Sequence, residues 1–410
     1  MLKVLAHSWP LLLGVMLLMV GNGVQGTLLG VRGAMEEFTT FQLSVVMSSY
    51  FAGFLFGSRM APSMIRRVGH VRVFSALGSL ISAVLILYPL WLDWQAWSVM
   101  RVIIGFSFSG IYVTAESWLN NTATNETRGQ ALSAYMIVQM LGIIASQGLL
   151  ALGDPSGFGL FIIPSVLVSL AFMPILLADT PAPTFDDARR MPFAKLWTTS
   201  PLGCVGMLLT GGIFAGMFGM ASVWGAMSGL TLKEIAAFGA SLYIGGLALQ
   251  YPVGWVSDRM DRRKLIMVLS FFATGVMAVA AFVPLPFTLI LVVALLLGGM
   301  INPLYSLLIA LTNDHLSKEE MPGASSGLIF LNGFGAIFGP LASGWLMGVV
   351  GRGGYFLFLG GLFLALGVYA AWRVSRRASP HNSGFMGLSP NASSLAVGTV
   401  MEKDPRRSRG

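Results

Sequence analysis

The stretch "GWVSDRMDRRK" occupies Gly254–Lys264. Six of the seven residues from Asp258 to Lys264 are charged, in a chain whose overall charged content is 10%. Apolar sequence lies on both sides. Such a knot of charge predicts a tight water-facing turn between two helices that are otherwise out of water.

Composition extends that reading to the whole chain. Of 410 residues, 55% are hydrophobic, and the mean hydropathy is +0.76. A soluble protein carries about a quarter charged residues, so polar material here is too scarce to coat a water-facing surface. The excess apolar side chains must face lipid. The 50 glycines agree, because helices in membranes pack closely through small residues. The net charge of +8 sits in short loops, where lysine and arginine set membrane orientation, so no nucleic-acid partner is expected.

Catalytic and metal chemistry find little support. Cys204 is the sole cysteine, and His7, His70, His315 and His381 are scattered without an HExxH. The "GASSG" at 323–327 has the spacing of a nucleophile elbow, but a polar loop precedes it where a strand is required. The small residues read better as helix packing. No enzyme activity, cofactor or metal is expected. Near the start, Lys3 and an apolar run from Trp9 to Val20 lack a small-x-small cleavage site, which reads as a retained first helix.

Runs of about 20 mostly apolar residues mark spanning helices. They fall near 8–31, 41–62, 73–92, 97–120, 129–152, 157–178, 202–226, 235–256, 265–284, 286–312, 322–349 and 354–373. Fifteen basic residues, from Arg66, Arg67 and Arg72 to Arg373, Arg376 and Arg377, follow even-numbered helices. The opposite loops hold only Arg32, Lys233 and Arg352. Basic loops stay in the cytoplasm, so both termini are expected there, in a bacterial inner membrane. The expected organisation is a six-helix bundle over 1–178, a Pro-rich cytoplasmic linker over 179–201, a second six-helix bundle over 202–377, and a disordered cytoplasmic tail over 378–410.

The two halves repeat one pattern. A shift of 192 residues lays Gly53 on Gly245 and "RRVGHVR" (66–72) on "DRMDRRK" (258–264). A shift of 193 lays Gly105 on Gly298, Tyr112 on Tyr305, Asn120 on Asn313, Gln139 on Asn332 and Gly142 on Gly335. A six-helix repeat is the mark of a six-plus-six transporter.

"GWVSDRMDRRK" resembles the loop motif of the major facilitator superfamily, G-x-x-x-D-R-x-G-R-R. Gly254, Asp258, Arg259, Arg262 and Arg263 match, and Asp261 replaces the second glycine. "RVIIGFSFSG" (101–110) is similar to that superfamily's helix 4 pattern. "APSMIRRVGHVR" (61–72) and "AESWLNNTATNETRGQALSAYM" (115–136) resemble the YcaD-like group of bacterial transporters. In the first half, Arg66 stands where the motif has its aspartate and Pro62 where it has glycine. The resemblance implies an all-α membrane fold of twelve helices in two pseudo-repeats. Helices 1, 4, 7 and 10 would line a cavity flanked by 2, 5, 8 and 11.

Two sets of site residues follow. At the cytoplasmic face, Gly254, Asp258, Arg259, Arg262 and Arg263, with Arg66 and Arg67, are candidates for a gate whose ion pairs close one state. The bland alternative is a loop that only fixes topology and anchors at headgroups. Inside the membrane, Arg101, Gly105, Ser109, Tyr112 and Glu116 fall within about 80° of one another on helix 4, a single polar stripe. A charge at membrane depth costs at least about 2.5–3.5 kcal/mol, so this stripe must face the protein interior. Arg101 and Glu116 stand about 22 Å apart along the axis and cannot pair. Arg101 is read as a substrate or coupling group. Glu116 is read as a gate or proton carrier, against a fixed ion pair with Arg128, Arg67 or Arg59. The amides Asn22, Gln25, Gln139, Gln147, Gln250, Asn302 and Asn332 mark the pathway or serve as interhelical glue. "GFGAIFGPLASG" (333–344), with Pro340, is either a hinge or a tight crossing.

The expected function is a secondary transporter that moves a small solute by alternating access, as a monomer in the lipid bilayer, with protons as candidate coupling ions. The competing class is a non-transporting sensor or scaffold on the same fold.

Overall fold

The computed structural model describes residues 2–122, 128–177, 191–317 and 320–376. Outside them lie Glu126, most of the linker with Arg189 and Arg190, Lys318, Glu319, Arg377 and the 378–410 tail; the Arg128 side chain is also outside. Every regular element among the described residues is a helix, as backbone in hydrocarbon requires. In the first half run α1 (Leu2–Met35), α2 (Thr40–Val68), α3 (His70–Leu87), α4 (Trp94–Thr122), α5 (Arg128–Leu152), α6 (Gly159–Ala171) and α7 (Met173–Leu177). There follow α8 (Phe193–Thr199), α9 (Pro201–Met227), α10 (Leu232–Ser257), α11 (Arg262–Phe282), α12 (Phe287–Asn313), α13 (Met321–Val350) and α14 (Gly354–Arg376). Among the described residues, 12 helices are long and apolar enough to cross a membrane, with α6 and α7 making one span, Gly159–Leu177.

The structure refines these bounds. The third span ends at Leu87, short of 92, because Pro89 has no amide N–H to continue the helical ladder and the chain turns over Leu87 O. The sixth is interrupted at Phe172, just ahead of Pro174. Within the linker α8 forms, and its buried Leu196 packs on Gly327 of α13.

The chain divides into two compact units. The first comprises Met1–Asp187 with the Ala221–Ala240 hairpin, and the second Ala188–Met220 with Ser241–Gly410. In the first, α1 packs on α5 and α6, α2 on α4, and α3 on α4 and α6. The hairpin joins this unit where Ser222 meets Gly30 and Gln147 meets Gly239. In the second, α11 packs on α12 and α14, and α13 on α14.

The repeat is carried by local physics. Thr39 Oγ1 accepts from Gln42 N (3.2 Å) while Gln42 Oε1 accepts from Thr39 N (2.8 Å), a capping box that starts α2. At the equivalent positions, Thr231 and Glu234 start α10 in the same way (3.3 and 2.8 Å). The glycines repeat too. A Cβ at Gly53 would overlap the Val102 carbonyl and one at Gly105 the Tyr50 carbonyl, so the α2 and α4 backbones touch directly. Gly245 stands likewise against Leu295, and Gly298 against Leu242. Gly142 lies on Met16 of α1, and its counterpart Gly335 on Leu208 of α9. Gly339 also meets Gly212, so the glycine-rich stretch of α13 makes a tight crossing with α9.

Candidate functional site: a buried arginine among phenols and amides

The close approach of α2 and α4 builds the site. With Gly105 against the Tyr50 carbonyl, Arg101, one turn earlier on α4, meets Met47 and Tyr50 of α2. Arg101 is 4% exposed. Its guanidinium donates to Met47 Sδ (3.2 Å) and lies 4.9 Å from the Tyr50 ring centroid. Its Nε has no hydrogen-bond partner, and among the described residues no carboxylate reaches it. A thioether and a ring face are weak partners for a buried cation.

Polar groups from two further segments, α1 and the end of α3, lie in the same unit. Tyr88, beyond the end of α3, accepts from Gln25 Nε2 (3.3 Å), and the buried Gln25 Oε1 has no partner. Tyr50, whose ring Arg101 faces, and Tyr88 are the phenols near Arg101. Tyr112 Oη donates to Met19 Sδ (3.3 Å), and Asn22 Nδ2 approaches Tyr112 Oη at 3.5 Å. In the first unit, then, Met47 and Tyr50 stand beside Arg101, Gln25 bonds Tyr88, and Asn22 approaches Tyr112 further along α4. The phenols escaped the sequence reading because a tyrosine at the edge of an apolar run looks like packing. The reciprocal glycines would have pointed to Tyr50, which sits three residues before Gly53.

The rest of the helix 4 stripe is buried too: Ser109 and Tyr112 are 1% exposed and Glu116 is fully buried. Tyr135 of α5 lies in electrostatic range of Glu116, Tyr112 and Gln139. Beside them His70 Nε2 bonds Ser117 Oγ at 2.7 Å. Arg67 is exposed and has no ion-pair partner among the described residues, which removes it as the fixed partner of Glu116.

The other amides make contacts within their own units. Gln147 accepts from Thr27 Oγ1 (3.3 Å) and donates to Ser146 Oγ (3.1 Å). In the second unit Gln250 donates to Ser306 Oγ (3.1 Å), Asn332 to Met207 O (3.1 Å), and Asn302 approaches Gly298 O of its own helix at 3.5 Å. These are contacts within and between helices of the same unit.

The charged loop is more ordered than its sequence suggests. Asp261 caps α11 through Arg263 N (2.9 Å) and holds the Arg263 guanidinium (2.7 Å). Arg259 folds over the Trp255 ring (3.8 Å) and donates to Trp255 O (2.9 Å). Gly254 is buried at the end of α10, and Asp258 lies in the turn after it. Arg262 pairs with Asp314, beyond α12, at 2.6 Å, with both side chains 1% exposed. Arg66 is exposed. Asp314 was missed by the sequence reading. An acid at a helix C-terminus is unfavourable alone and signals a cation nearby.

The sequence model of the Major Facilitator Superfamily matches residues 11–246 and 226–399. The chain belongs to the Major Facilitator Superfamily. An uncharacterized MFS-type transporter of Yersinia enterocolitica is 27% identical over 356 residues, covering 83% of this chain and 90% of that one. The MFS-type transporter YcaD of Shigella flexneri is 26% identical over 346 residues, covering 82% and 88%. Among solved folds, the nucleoside transporter NupG superposes with a TM-score of 0.75 at 15% identity, over 90% of this chain and 99% of NupG. A bacterial homologue of the lysosomal transporter Spinster gives 0.69 at 16% identity, over 89% and 94%. As a member of the Major Facilitator Superfamily, the protein is a multi-pass membrane transporter and not an enzyme. Its twelve helices form the two six-helix pseudo-repeats of that fold.

Proposed function

We propose that this transporter is a secondary carrier of a small anionic or zwitterionic solute in the bacterial inner membrane. The carrying observation is Arg101: buried, with an unpartnered Nε and no carboxylate at hand among the described residues. Holding a cation at membrane depth without a counter-ion costs several kcal/mol, and a substrate carboxylate or phosphate offsets that cost when bound. Tyr50, Tyr88, Tyr112, Asn22 and Gln25 supply orienting donors and acceptors.

In this reading the six-helix halves, 1–178 and 202–377, rock about the site. The loop residues Asp258, Arg259, Arg262 and Arg263, with Arg66 and Arg67, bias the closed state, and both termini lie in the cytoplasm. Glu116, with Tyr135 and Gln139, is the proton-coupling group; one proton crossing about 100 mV carries about 2.3 kcal/mol. Gln147, Gln250, Asn302 and Asn332 border the passage. The carrier works as a monomer. A solved neighbour, the E. coli fucose:proton symporter FucP (TM-score 0.58), is named for proton coupling.

The test is a thermal-shift screen of purified protein against a metabolite library at two pH values, followed by flux of each hit in proteoliposomes. Hits confined to carboxylates, phosphates or zwitterions, and lost in Arg101→Gln, are expected. Hits confined to cationic or uncharged compounds overturn the reading.

A further inference from the structure

A second basic site lies in the second unit. Arg263 at the start of α11, His315 just beyond α12 and Arg373 near the end of α14 line one cleft. Thr199, Ser200, Pro201 and Leu202 around the start of α9, with Leu311, complete its lining. The cleft holds about 370 Å³ of space, its open mouth included.

The charges are unequally satisfied. Arg263 shares the Asp261 carboxylate. The neighbouring acid, Asp314, is held by Arg262. Arg373 has no carboxylate or hydrogen-bond acceptor among the described residues; its guanidinium lies 5.7 Å from the Trp372 ring. His315 fixes Nδ1 on Leu311 O (2.9 Å), which leaves the Nε2 edge for a ligand. The 27-residue α9 adds the positive end of its dipole, with Ser200 Oγ capping Gly203 N (3.2 Å).

The location selects the ligand. α9 and α11 begin here, and α12 and α14 end here, so the cleft lies at the end of four spans, at headgroup level. Trp197 and Trp372, 43% and 48% exposed, flank it, as aromatic residues do at a membrane interface. We propose that this cleft binds the phosphate of an anionic phospholipid headgroup. Basic pockets between helix ends hold such headgroups. A soluble phosphate offers the same chemistry, so the test separates the two.

The full chain in neutral detergent is mixed with dioleoylphosphatidylglycerol or dioleoylphosphatidylcholine, and bound lipid is counted by native mass spectrometry. The wild type retains phosphatidylglycerol in preference to phosphatidylcholine. Arg373→Gln lowers that retention about fivefold. Arg376→Gln, one turn further and outside the cleft, keeps it. His315→Gln, at an exposed position, gives a smaller loss and stands in if the Arg373 variant does not fold. Equal phosphatidylglycerol retention by the wild type, Arg373→Gln and His315→Gln overturns the site. Displacement of the lipid by an equal concentration of inorganic phosphate overturns the lipid assignment in favour of a soluble phosphate.

Discussion

Arg262 and Asp314 form an ion pair at 2.6 Å with each side chain only 1% exposed, tying the first turn of α11 to the end of α12. Removing one partner strands the other charge. Asp314→Ala is expected to destabilise the protein by about 3–5 kcal/mol, read as a large fall in melting temperature. The double variant Arg262→Met/Asp314→Leu recovers most of that loss, because a paired apolar replacement strands nothing. A double variant as unstable as the single one would show that the pair is not the source.

Gly105 and Gly298 occupy matching places, each against a carbonyl of the partner helix. Alanine at either forces two backbones apart and costs about 1–3 kcal/mol in the manner of overpacking. Gly148 has nothing within 4 Å of its would-be Cβ, so Gly148→Ala is neutral. Melting curves of the three variants check this: similar falls for the first two and none for the third.

Glu320 and Lys195 bridge the start of α13 to α8. The Lys195 ammonium, then the Ser317 amide, lower the Glu320 carboxyl below its usual 4.5. A lowered folded value means the contact contributes above the unfolded pKa and is lost as pH falls through the folded one. Protease protection at 191–199 is therefore flat from neutral pH to about pH 5 and falls below pH 4.5. Glu320→Gln removes that acid step. An unchanged step in the variant would assign the effect to another group.

Sequence reading reached the architecture because its strongest signals are local or periodic. Apolar length placed the twelve spans, and the shift of Gly53 and Gly105 onto Gly245 and Gly298 marked the repeat. The break at Phe172 and the short α8 were harder, because they depend on Pro174 and on one side chain, Leu196, finding Gly327. At the site, the α4 stripe was readable from helical spacing, since a charge at membrane depth must turn inward. Its neighbours were not. Tyr50, Tyr88 and Asp314 become recognisable only once α2, α3 and α12 are placed beside Arg101 and Arg262.

The arginine's role turns on shape as well as charge. Arg101→Lys keeps a cation but loses the planar fork and the ring contact with Tyr50. Solute affinity is expected to fall about tenfold or more, the loss of one charge-assisted hydrogen bond. Melting temperature without solute should change little. A lysine variant that binds as tightly as wild type would reduce Arg101 to a bare positive charge.

Aqueous access to position 101 is the most direct test. In a Cys204→Ser background, Arg101→Cys is treated with a membrane-impermeant thiol reagent from each side of the membrane. Labelling from one compartment at a time, with the accessible side changed by solute, is the expected result. A position 101 that stays sealed from both sides under every condition would contradict a substrate site at Arg101.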